Sequence, residues 1–310
     1  MGKSETFEFG IIKWIRSVTP LAKGVLVGIG DDCATLKLRS SRCLLKIDQL
    51  VEGLHFECKS ATPAQIGRKA VARPLSDIAA MTGTPRAAVI SVLLRPSFTP
   101  SQVRRMYLGM KAMADEFGMA IVGGDIAAGG DRLVISVSIL GESNTRGDVL
   151  RSGARPGDAI FVTGDLGGSI LGKHLDFTPR IREAHELART VPLNSMIDIS
   201  DGLAADLQHI LEESNVGGVL EAAALPVSQS AEQLAAKTKR PVLDHVLNDG
   251  EDYELLFTVP RRAAAKVPAR LSTGVPLRGI GRIIKRRGLW LQDTAGRKPI
   301  TPRGWEYHIS

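Results

Sequence analysis

The sequence contains few cysteines, few aromatic residues and no long apolar run. Its three cysteines, Cys33, Cys43 and Cys58, fit neither a CxxC metal site nor a paired disulfide framework, so we expect reduced, structural thiols. No apolar stretch approaches the roughly 20 residues that cross a bilayer. The start, Met1 to Gly10, lacks the basic and apolar regions of a signal peptide. The sequence therefore predicts a cytoplasmic protein with no membrane partner.

The charge is weakly informative about partners. The formal net charge is +7, but the basic residues lie in short scattered groups such as Arg261-Arg262 and Lys285-Arg286-Arg287. Aromatic residues, which make up 5% of the chain, are not interleaved with these groups. We therefore interpret the basic groups as parts of solvent-exposed faces and expect no nucleic-acid partner. A positive surface would also raise the local concentration of phosphorylated substrates.

A chain of 310 residues is long for one hydrophobic core, and two domains are expected. Apolar runs alternate with helical patterns in the first half, as in a mixed α/β domain. The segment Glu142–Asp158 breaks this periodicity with Asn, Gly and Pro, so we place the boundary near residue 150 and predict domains 1–150 and 151–310. The predicted strands are Gly24–Gly28, Cys43–Asp48, Ala87–Leu94, Ala120–Val122, Leu133–Leu140, Ala159–Thr163 and Tyr253–Val259, and the predicted helices include Pro63–Met81 and Pro100–Phe117.

Acidic residues recur beside the apolar runs. Each alone is consistent with an ordinary turn, because aspartate is a common turn residue. Together they indicate ligand binding, because strand ends in α/β sheets are where ligands usually bind. These residues are Asp31, Asp32, Asp48, Asp77, Asp125 and Asp198.

Clustered carboxylates repel one another unless protons or a cation neutralise them. Because no matching set of cysteines or histidines accompanies the aspartates, they favour a hard cation such as Mg²⁺, which commonly bridges carboxylates and substrate phosphates. The sequence thus predicts magnesium with a nucleotide and a phosphoryl transfer that needs no protein nucleophile. No nucleophile motif is evident.

Two further segments are candidates for phosphate binding. Asp198–Leu203 places two carboxylates around Ser200 at a predicted helix start, where Ser200 is expected to cap the helix and the exposed N–H groups are able to face a phosphate. Gly164–Ser169 is a glycine-rich turn after a strand, but it matches neither GxxxxGK[ST] nor GxGxxG. For each segment, an ordinary structural turn and a phosphate-binding site both stay open.

Several motifs occur in a fixed order along the chain, namely VGIGDDCATL, KIDQLVEGLHF, RPLSDIAAM, IVGGD, RSGARPGDAIFVTG, MIDISDGLAADLQHI and NDGEDYELLF. Taken in this order, they resemble the thiamine-monophosphate kinase family, which belongs to a superfamily with aminoimidazole ribonucleotide synthetase. SDGLAADL and GEDYEL, in this order and spacing, are the specific signals. The resemblance extends from about Gly28 to Phe257, and the ending Gly304–His308 also looks like that family's C-terminus.

The resemblance implies a two-domain α/β (α+β) fold. In it, an N-terminal domain for ATP and magnesium pairs with a second copy to close a barrel across a homodimer, and a C-terminal domain flanks the active-site cleft. It also implies ATP-dependent phosphorylation of thiamine monophosphate to thiamine diphosphate with several Mg²⁺ ions. The implied magnesium ligands are Asp32, Asp48, Asp77, Asp125, Asp198 and Asp201. The implied ATP contacts are Gly124, Asp125, Arg151 and Ser200. The implied contacts to the thiamine substrate are His55, Glu251 and Trp305.

The sequence departs from the family pattern beside the implied metal ligands. Lys46-Ile47-Asp48 stands where the family usually has Ser-Thr-Asp, and alternation along the strand predicts that Lys46 and Asp48 share a face. Pro74, Ile126 and Asp249 are further departures. We therefore predict fewer bound magnesium ions than in relatives. Two alternatives stay open, namely another superfamily member with a different phosphorylated acceptor, and a catalytically weak protein that binds nucleotide or thiamine phosphates.

Overall fold

The computed structural model describes residues 7–29, 34–144 and 146–303. Within them the chain forms two compact units. The first ends at Ser143 and omits Ala79–Gly83, and these five residues pack with the second unit, which continues from Asn144. The assignment of nucleotide and metal binding to residues 1–150, and of a cleft-flanking role to residues 151–310, stays a prediction.

The first unit combines helices with a mixed sheet. Its four-stranded sheet has the order β3-β6-β4-β5, in which only β4 and β5 run parallel to each other. A two-stranded ribbon, β1-β2, accompanies it. The elements are α1 (Phe7–Val18), β1 (Val25–Val27), β2 (Thr35–Leu36), β3 (Cys43–Val51), α2 (Pro63–Ala80), β4 (Thr84–Leu94), α3 (Pro100–Glu116), β5 (Ala120–Ala128) and β6 (Val134–Glu142).

One face of the four-stranded sheet is buried and the other is open. Along β6, Ile135, Val137 and Ile139 are fully buried, while the residues between them are half-buried. Along β3, Leu45 and Ile47 are 80% and 64% exposed. The alternation follows from the period of two along a strand. An apolar strip is therefore left uncovered on the open face of this unit.

Helices α2 and α3 pack closely because each places a glycine at the contact. Thr99 caps α3 through a reciprocal capping box with Gln102, and Pro100 occupies the first turn, which explains why α3 begins there. A Cβ atom at Gly67 in α2 would overlap the carbonyl oxygen of Met106 in α3, and one at Gly109 would overlap that of Ala64. Backbone thus lies against backbone at this contact.

Replacing Gly67 by alanine is expected to lower the free energy of unfolding by about 1–3 kcal/mol, because the added methyl forces the two helices apart. Gly10→Ala in α1 is the matched control, since a Cβ there meets nothing within 4 Å. That change is expected to stabilise the protein by up to about 1 kcal/mol, because glycine is a poor helix former. Urea denaturation measures both. Equal effects of the two variants would contradict the close α2–α3 contact.

The second unit is built on a seven-stranded sheet with the order β13-β12-β9-β11-β7-β10-β8. Only the β9-β12 pair in this order is parallel. The core beside the sheet includes Ile160 on β7, Leu256 on β10 and Leu207 on α6. Short 3-10 turns occur at Ser169–Leu171 and Ala222–Ala224. The other elements are β7 (Ala159–Thr163), α4 (Lys173–Asp176), α5 (Ile181–Thr190), β8 (Ser195–Asp198), α6 (Leu203–Glu213), β9 (Gly217–Glu221), α7 (Gln229–Thr238), α8 (Val242–Asn248), β10 (Leu255–Val259), α9 (Arg261–Ala264), β11 (Leu277–Ile284), β12 (Gly288–Asp293) and β13 (Gly296–Pro299).

Pro74 lies inside α2, which continues through it from Pro63 to Ala80. The prediction that Ser200 caps a helix is wrong, because α6 starts at Leu203 with Gly202 in the capping position and no capping side chain. In the described ranges we find no helix that combines the length and apolar character needed to cross a membrane.

Candidate functional site

Lys46 connects two of the predicted metal ligands in the first unit. Its ammonium Nζ lies 3.4 Å from Asp48 Oδ1 on the same strand and 3.0 Å from Asp77 Oδ2 on α2. All three side chains are partly exposed, at 32%, 21% and 26% respectively. The prediction that Lys46 and Asp48 share a face is confirmed. The two carboxylates are brought together around a lysine.

His55 follows β3, and hydrogen bonds to Val51 and Lys69 hold it. Its Nδ1 accepts a hydrogen bond from the Val51 backbone N–H at 3.0 Å, so in the neutral ring the proton sits on Nε2. The fully buried Lys69 donates from Nζ to the His55 carbonyl oxygen at 2.6 Å. Both ends of the residue are therefore tied to the fold, and the ring presents Nε2–H as a donor.

Gly124 and Asp125 lie on β5, at the opposite edge of the sheet from β3. Asp48 is in register with Val137, Val137 with Ile90, and Ile90 with Gly124. Three strand spacings of about 4.8 Å separate Asp48 from Gly124 by roughly 14 Å. Within the first unit, the structure therefore does not bring Asp125 to Asp48.

An apolar cavity borders Gly124 and Asp125 in the first unit. Its volume is about 580 Å³. Val92, Met106 and Tyr107 are among the residues that line it, alongside the glycine-containing part of β5. Apolar walls with a few polar groups at one end are typical of small-molecule sites.

In the second unit, the predicted ligand Asp198 ends β8 and the predicted ligand Asp201 lies in the turn before α6, and we call the segment Asp198–Gly202 the acidic loop. The buried carboxylate of Asp206, in the first turn of α6, organises this loop. Its Oδ2 accepts hydrogen bonds from three successive backbone N–H groups, those of Ser200, Asp201 and Gly202, at 3.0, 2.9 and 3.1 Å. These backbone N–H groups were expected to bind a phosphate or to be capped by Ser200. In the structure, the carboxylate of Asp206 accepts their hydrogen bonds.

The loop concentrates negative charge. Burial, followed by the negative charges of Asp198 and Asp201, raises the pKa of Asp206 well above its usual range. One oxygen each of Asp201 and Asp206 and a ring nitrogen of His209 lie within 4.8 Å of one another. A hard cation would relieve the mutual repulsion of these carboxylates, and carboxylate oxygens are ligands that Mg²⁺ prefers. The residues present here fit magnesium.

The segment Asp249–Glu254 lies directly against this loop. Glu251 N–H donates to the Ser200 carbonyl at 2.8 Å, and Tyr253 N–H donates to the Ile199 carbonyl at 2.8 Å. Glu251 and Tyr253 both have left-handed backbone conformations, with φ of 65° and 51°. Such conformations are costly for non-glycine residues and persist where the surroundings hold them. The structure thus brings Glu251 beside Ser200.

The glycine-rich turn Gly164–Ser169 uses its backbone donors internally. Gly167 N–H donates to Asp252 Oδ2 at 2.8 Å, and Gly168 N–H donates to Asp249 Oδ2 at 3.1 Å. The same Asp249 oxygen lies 2.8 Å from Nδ1 of the buried His245. The N–H groups of this turn were considered as donors to an external phosphate. In the structure, the carboxylates of Asp249 and Asp252 accept their hydrogen bonds.

Asp252 is expected to make stability depend on pH. Burial is the main cause that raises its pKa from the usual 3.8 to about 7. Its Oδ1 has no hydrogen-bond partner among the described residues, and the ammonium of Lys173, 3.9 Å away, offsets only part of the effect of burial. Since the folded pKa is the higher one, the contribution of Asp252 is fully present below pH 4 and is lost as the pH rises through 7. The loss is up to about 4 kcal/mol.

Asp252→Asn should remove this dependence while keeping an acceptor for Gly167 N–H. We therefore expect the difference in free energy of unfolding, variant minus wild type, to increase between pH 4 and pH 8. Denaturation at several pH values measures the difference. Parallel pH profiles for the two proteins would contradict a raised pKa at Asp252.

Arg151 is not brought to the start of α6, where Ser200 lies. The Arg151 carbonyl accepts a hydrogen bond from Ser214, which ends α6, whereas Ser200 precedes the start of that helix. Eleven helical residues, about 16 Å, lie between the two ends. Asp32 and Trp305 lie outside the described residues. Of the cysteines that were expected to be reduced, Cys43 and Cys58 carry free thiols, and Cys33 also lies outside the described residues.

Asp206 and an ionic cluster around the buried Glu254 were not predicted from the sequence. An acidic residue in the first turn of a helix is a known partner of exposed N–H groups, and this signal would have found Asp206. The cluster joins Glu254 to Lys173 and Arg180, which are 81 and 74 residues away in the chain. No local pattern predicts such a contact.

Known proteins resemble this chain over most of its length. Residues 30–143 match the family described as AIR synthase related protein, N-terminal domain, and residues 130–293 match AIR synthase related protein, C-terminal domain. The thiamine-monophosphate kinase of Rhodopirellula baltica is 37% identical, with 96% of each chain covered.

Solved structures agree with the sequence matches. AaThiL complexed with AMPPCP and TMP is 31% identical, with 99% of each chain covered and a TM-score of 0.76. Thiamine-monophosphate kinase from Stenotrophomonas maltophilia K279a is 29% identical, covers 94% of this chain and 97% of its own, and has a TM-score of 0.79. The predicted two-domain α/β fold is confirmed.

Proposed function

The chain belongs to the thiamine-monophosphate kinase family of AIR synthase related proteins, and from this we propose that it phosphorylates thiamine monophosphate with ATP. The bond between the γ-phosphorus of ATP and its bridging oxygen breaks, and ADP leaves. A phosphate oxygen of thiamine monophosphate forms the new bond, which gives thiamine diphosphate. The observation that carries this proposal is the 37% identity to the Rhodopirellula baltica kinase over 96% of both chains.

The proposed ATP contacts are Gly124, Asp125, Arg151 and Ser200. Gly124 and Asp125 border the apolar cavity of the first unit, whose walls suit a nucleobase. Arg151 is exposed, and its guanidinium is a suitable phosphate partner. Ser200 lies in the acidic loop of the second unit. The AMPPCP in the AaThiL complex supports a nucleotide as one substrate.

Magnesium would be held at the acidic loop by Asp198 and Asp201, with Asp206 beside them. When bound, the ion would neutralise charge on the phosphates and hold them in line for transfer. Asp198 is 4% exposed, so its carboxylate is positioned by the fold. Asp32 and Asp125 remain proposed ligands. Asp48 and Asp77 fit magnesium less well, because the ammonium of Lys46 already lies between them.

The acceptor would be recognised by His55, Glu251 and Trp305. His55 offers its Nε2–H as a donor, since its Nδ1 accepts from Val51. Glu251 offers a carboxylate, and Tyr253 donates a hydrogen bond to its Oε1 at 3.2 Å. A carboxylate suits the positively charged thiazolium ring of thiamine.

A homodimer closed by a barrel of N-terminal strands is part of the proposal. The open face of the four-stranded sheet carries exposed apolar side chains, as expected for a surface that a second copy covers. These are Leu45, Ile47, Val89 and Leu93, at 80%, 64%, 45% and 37% exposed. Sedimentation of Ile47→Lys should then show a larger monomer fraction than the wild type. The cytoplasm is the proposed location.

The direct test incubates the purified chain with ATP, Mg²⁺ and thiamine monophosphate. ADP and thiamine diphosphate should form in equal amounts. Other phosphorylated acceptors are assayed in parallel. Turnover with one of these and none with thiamine monophosphate would mean that the protein is a kinase for a different acceptor. Binding of ATP without any turnover would favour the alternative of a nucleotide-binding protein with little or no kinase activity.

A further inference from the structure

The ammonium of Lys46 lies where a cation is needed between two carboxylates. It is 3.0 Å from Asp77 Oδ2 and 3.4 Å from Asp48 Oδ1. Both distances are within ion-pair range. Lys46 therefore supplies positive charge to two of the carboxylates that were predicted to coordinate magnesium.

The strand holds Lys46 in this position. Along β3, Leu45 and Ile47 are on the exposed face, whereas Lys46 and Asp48 are on the other face and are half-buried. Asp77 belongs to the long helix α2. The lysine stem is thus anchored in regular structure beside both carboxylates, unlike a lysine on an open surface, which gains little from an ion pair.

The ammonium and a magnesium ion compete for these oxygens. Mg²⁺ requires oxygen ligands at about 2.0–2.1 Å in nearly octahedral geometry and keeps several waters. An ion on Asp48 Oδ1 and Asp77 Oδ2 would lie close to the ammonium, and the like charges would repel each other. Lys46 would have to swing away before the ion could bind.

We infer that Lys46 takes the place of a divalent cation between Asp48 and Asp77, so that this pair does not bind magnesium. The inference rests on the proposed function, which assigns magnesium to the carboxylates of this protein. The acidic loop at Asp198 and Asp201 keeps its proposed ion. The positive charge between Asp48 and Asp77 is then supplied by a side chain of the protein and does not depend on the magnesium concentration.

Counting bound metal tests this inference without measuring activity. Mn²⁺ serves as a paramagnetic probe for magnesium sites, and its binding to the full chain is titrated by electron paramagnetic resonance with AMPPCP present. Lys46→Ser is expected to bind one more Mn²⁺ per chain than the wild type. Lys111→Ser is the matched control, because Lys111 pairs with Asp115 on helix α3, and it should bind the wild-type number.

A second set of variants locates the additional ion. The double variant Lys46→Ser/Asp48→Asn should return to the wild-type number of Mn²⁺ ions, because the new site loses a ligand. Lys46→Gln, which keeps most of the side-chain length, should also gain an ion and replaces Lys46→Ser if that variant folds poorly. Melting curves should show that Mn²⁺ raises the Tm of Lys46→Ser more than that of the wild type.

Two results would overturn the inference. One is an unchanged Mn²⁺ number in both Lys46 variants. The other is a wild-type number that falls by one ion on Asp48→Asn, which would mean that the pair already binds metal. The kinase assay is scored separately. Failure of the wild type to form thiamine diphosphate would overturn the proposed function and leave the ion count interpretable.

Discussion

Asp198→Asn is expected to lower kcat/KM for thiamine monophosphate by about 1,000-fold, which corresponds to about 4 kcal/mol of lost transition-state stabilisation. Asp198 is the last residue of β8, where the acidic loop begins, and it is 4% exposed. Asparagine keeps the shape of the side chain but removes the charge proposed to hold magnesium against the transferring phosphoryl group. Steady-state kinetics at saturating ATP and magnesium measure the effect.

The stability of the same variant separates a catalytic from a structural role. The negative charge of Asp198 is one cause of the raised pKa of Asp206, so removing it relieves repulsion inside the loop. We therefore expect a free energy of unfolding equal to or higher than that of the wild type. Asp293→Asn, at the end of β12 beside the turn to β13, is the control and should retain full activity. Activity of Asp198→Asn within tenfold of wild type would remove Asp198 from the proposed site.

Residues whose roles follow from local periodicity were predictable from the sequence. The alternation of Leu45, Lys46, Ile47 and Asp48 along β3 predicted that the lysine and the aspartate share a face, and the ion pair confirms it. The spacing of apolar residues after Pro100 predicted α3, which the structure ends at Glu116. In these cases the information lies within one element.

Contacts between distant segments were not predictable in this way. Ser200 was expected to cap a helix, and a glycine-rich turn was considered for an anion. Asp206 instead accepts the N–H groups of the loop, and Asp252 accepts that of Gly167. In both places a carboxylate of the chain satisfies the donors. A sequence motif identifies available backbone donors but not the acceptor that the tertiary fold supplies.

Glu254 illustrates the same limit and carries the second large prediction. Its carboxylate is 1% exposed and binds two cations. Arg180 donates through Nε and Nη2 at 2.7 Å each, and Lys173 Nζ donates at 2.8 Å. Thr163 adds a hydroxyl donor at 2.6 Å. Burial alone would raise the pKa of Glu254, but Lys173 and Arg180 outweigh burial and lower it, so the group stays ionised.

Glu254→Gln is expected to lower the free energy of unfolding by about 3–5 kcal/mol, because it leaves the partly buried Arg180 without its carboxylate. Asp244→Asn is the matched control. It breaks the exposed Arg240–Asp244 pair on the surface, and about 1 kcal/mol or less is expected. Urea denaturation compares the two variants. A loss below about 1 kcal/mol for Glu254→Gln would contradict a structural role for the buried cluster.

The double variant Glu254→Leu/Arg180→Met distinguishes the cost of an unpaired charge from the value of the pair. Replacing Glu254 and Arg180 removes that ion pair as a whole, and Lys173, which is 30% exposed, keeps Asp252 at 3.9 Å. The double variant should therefore be more stable than Glu254→Gln. Function should still suffer. Glu254 packs against Gly164 and lies three residues after Glu251, so its loss frees both the glycine-rich turn and the proposed acceptor side of the site. We therefore expect the KM for thiamine monophosphate to rise in the double variant even where the fold recovers.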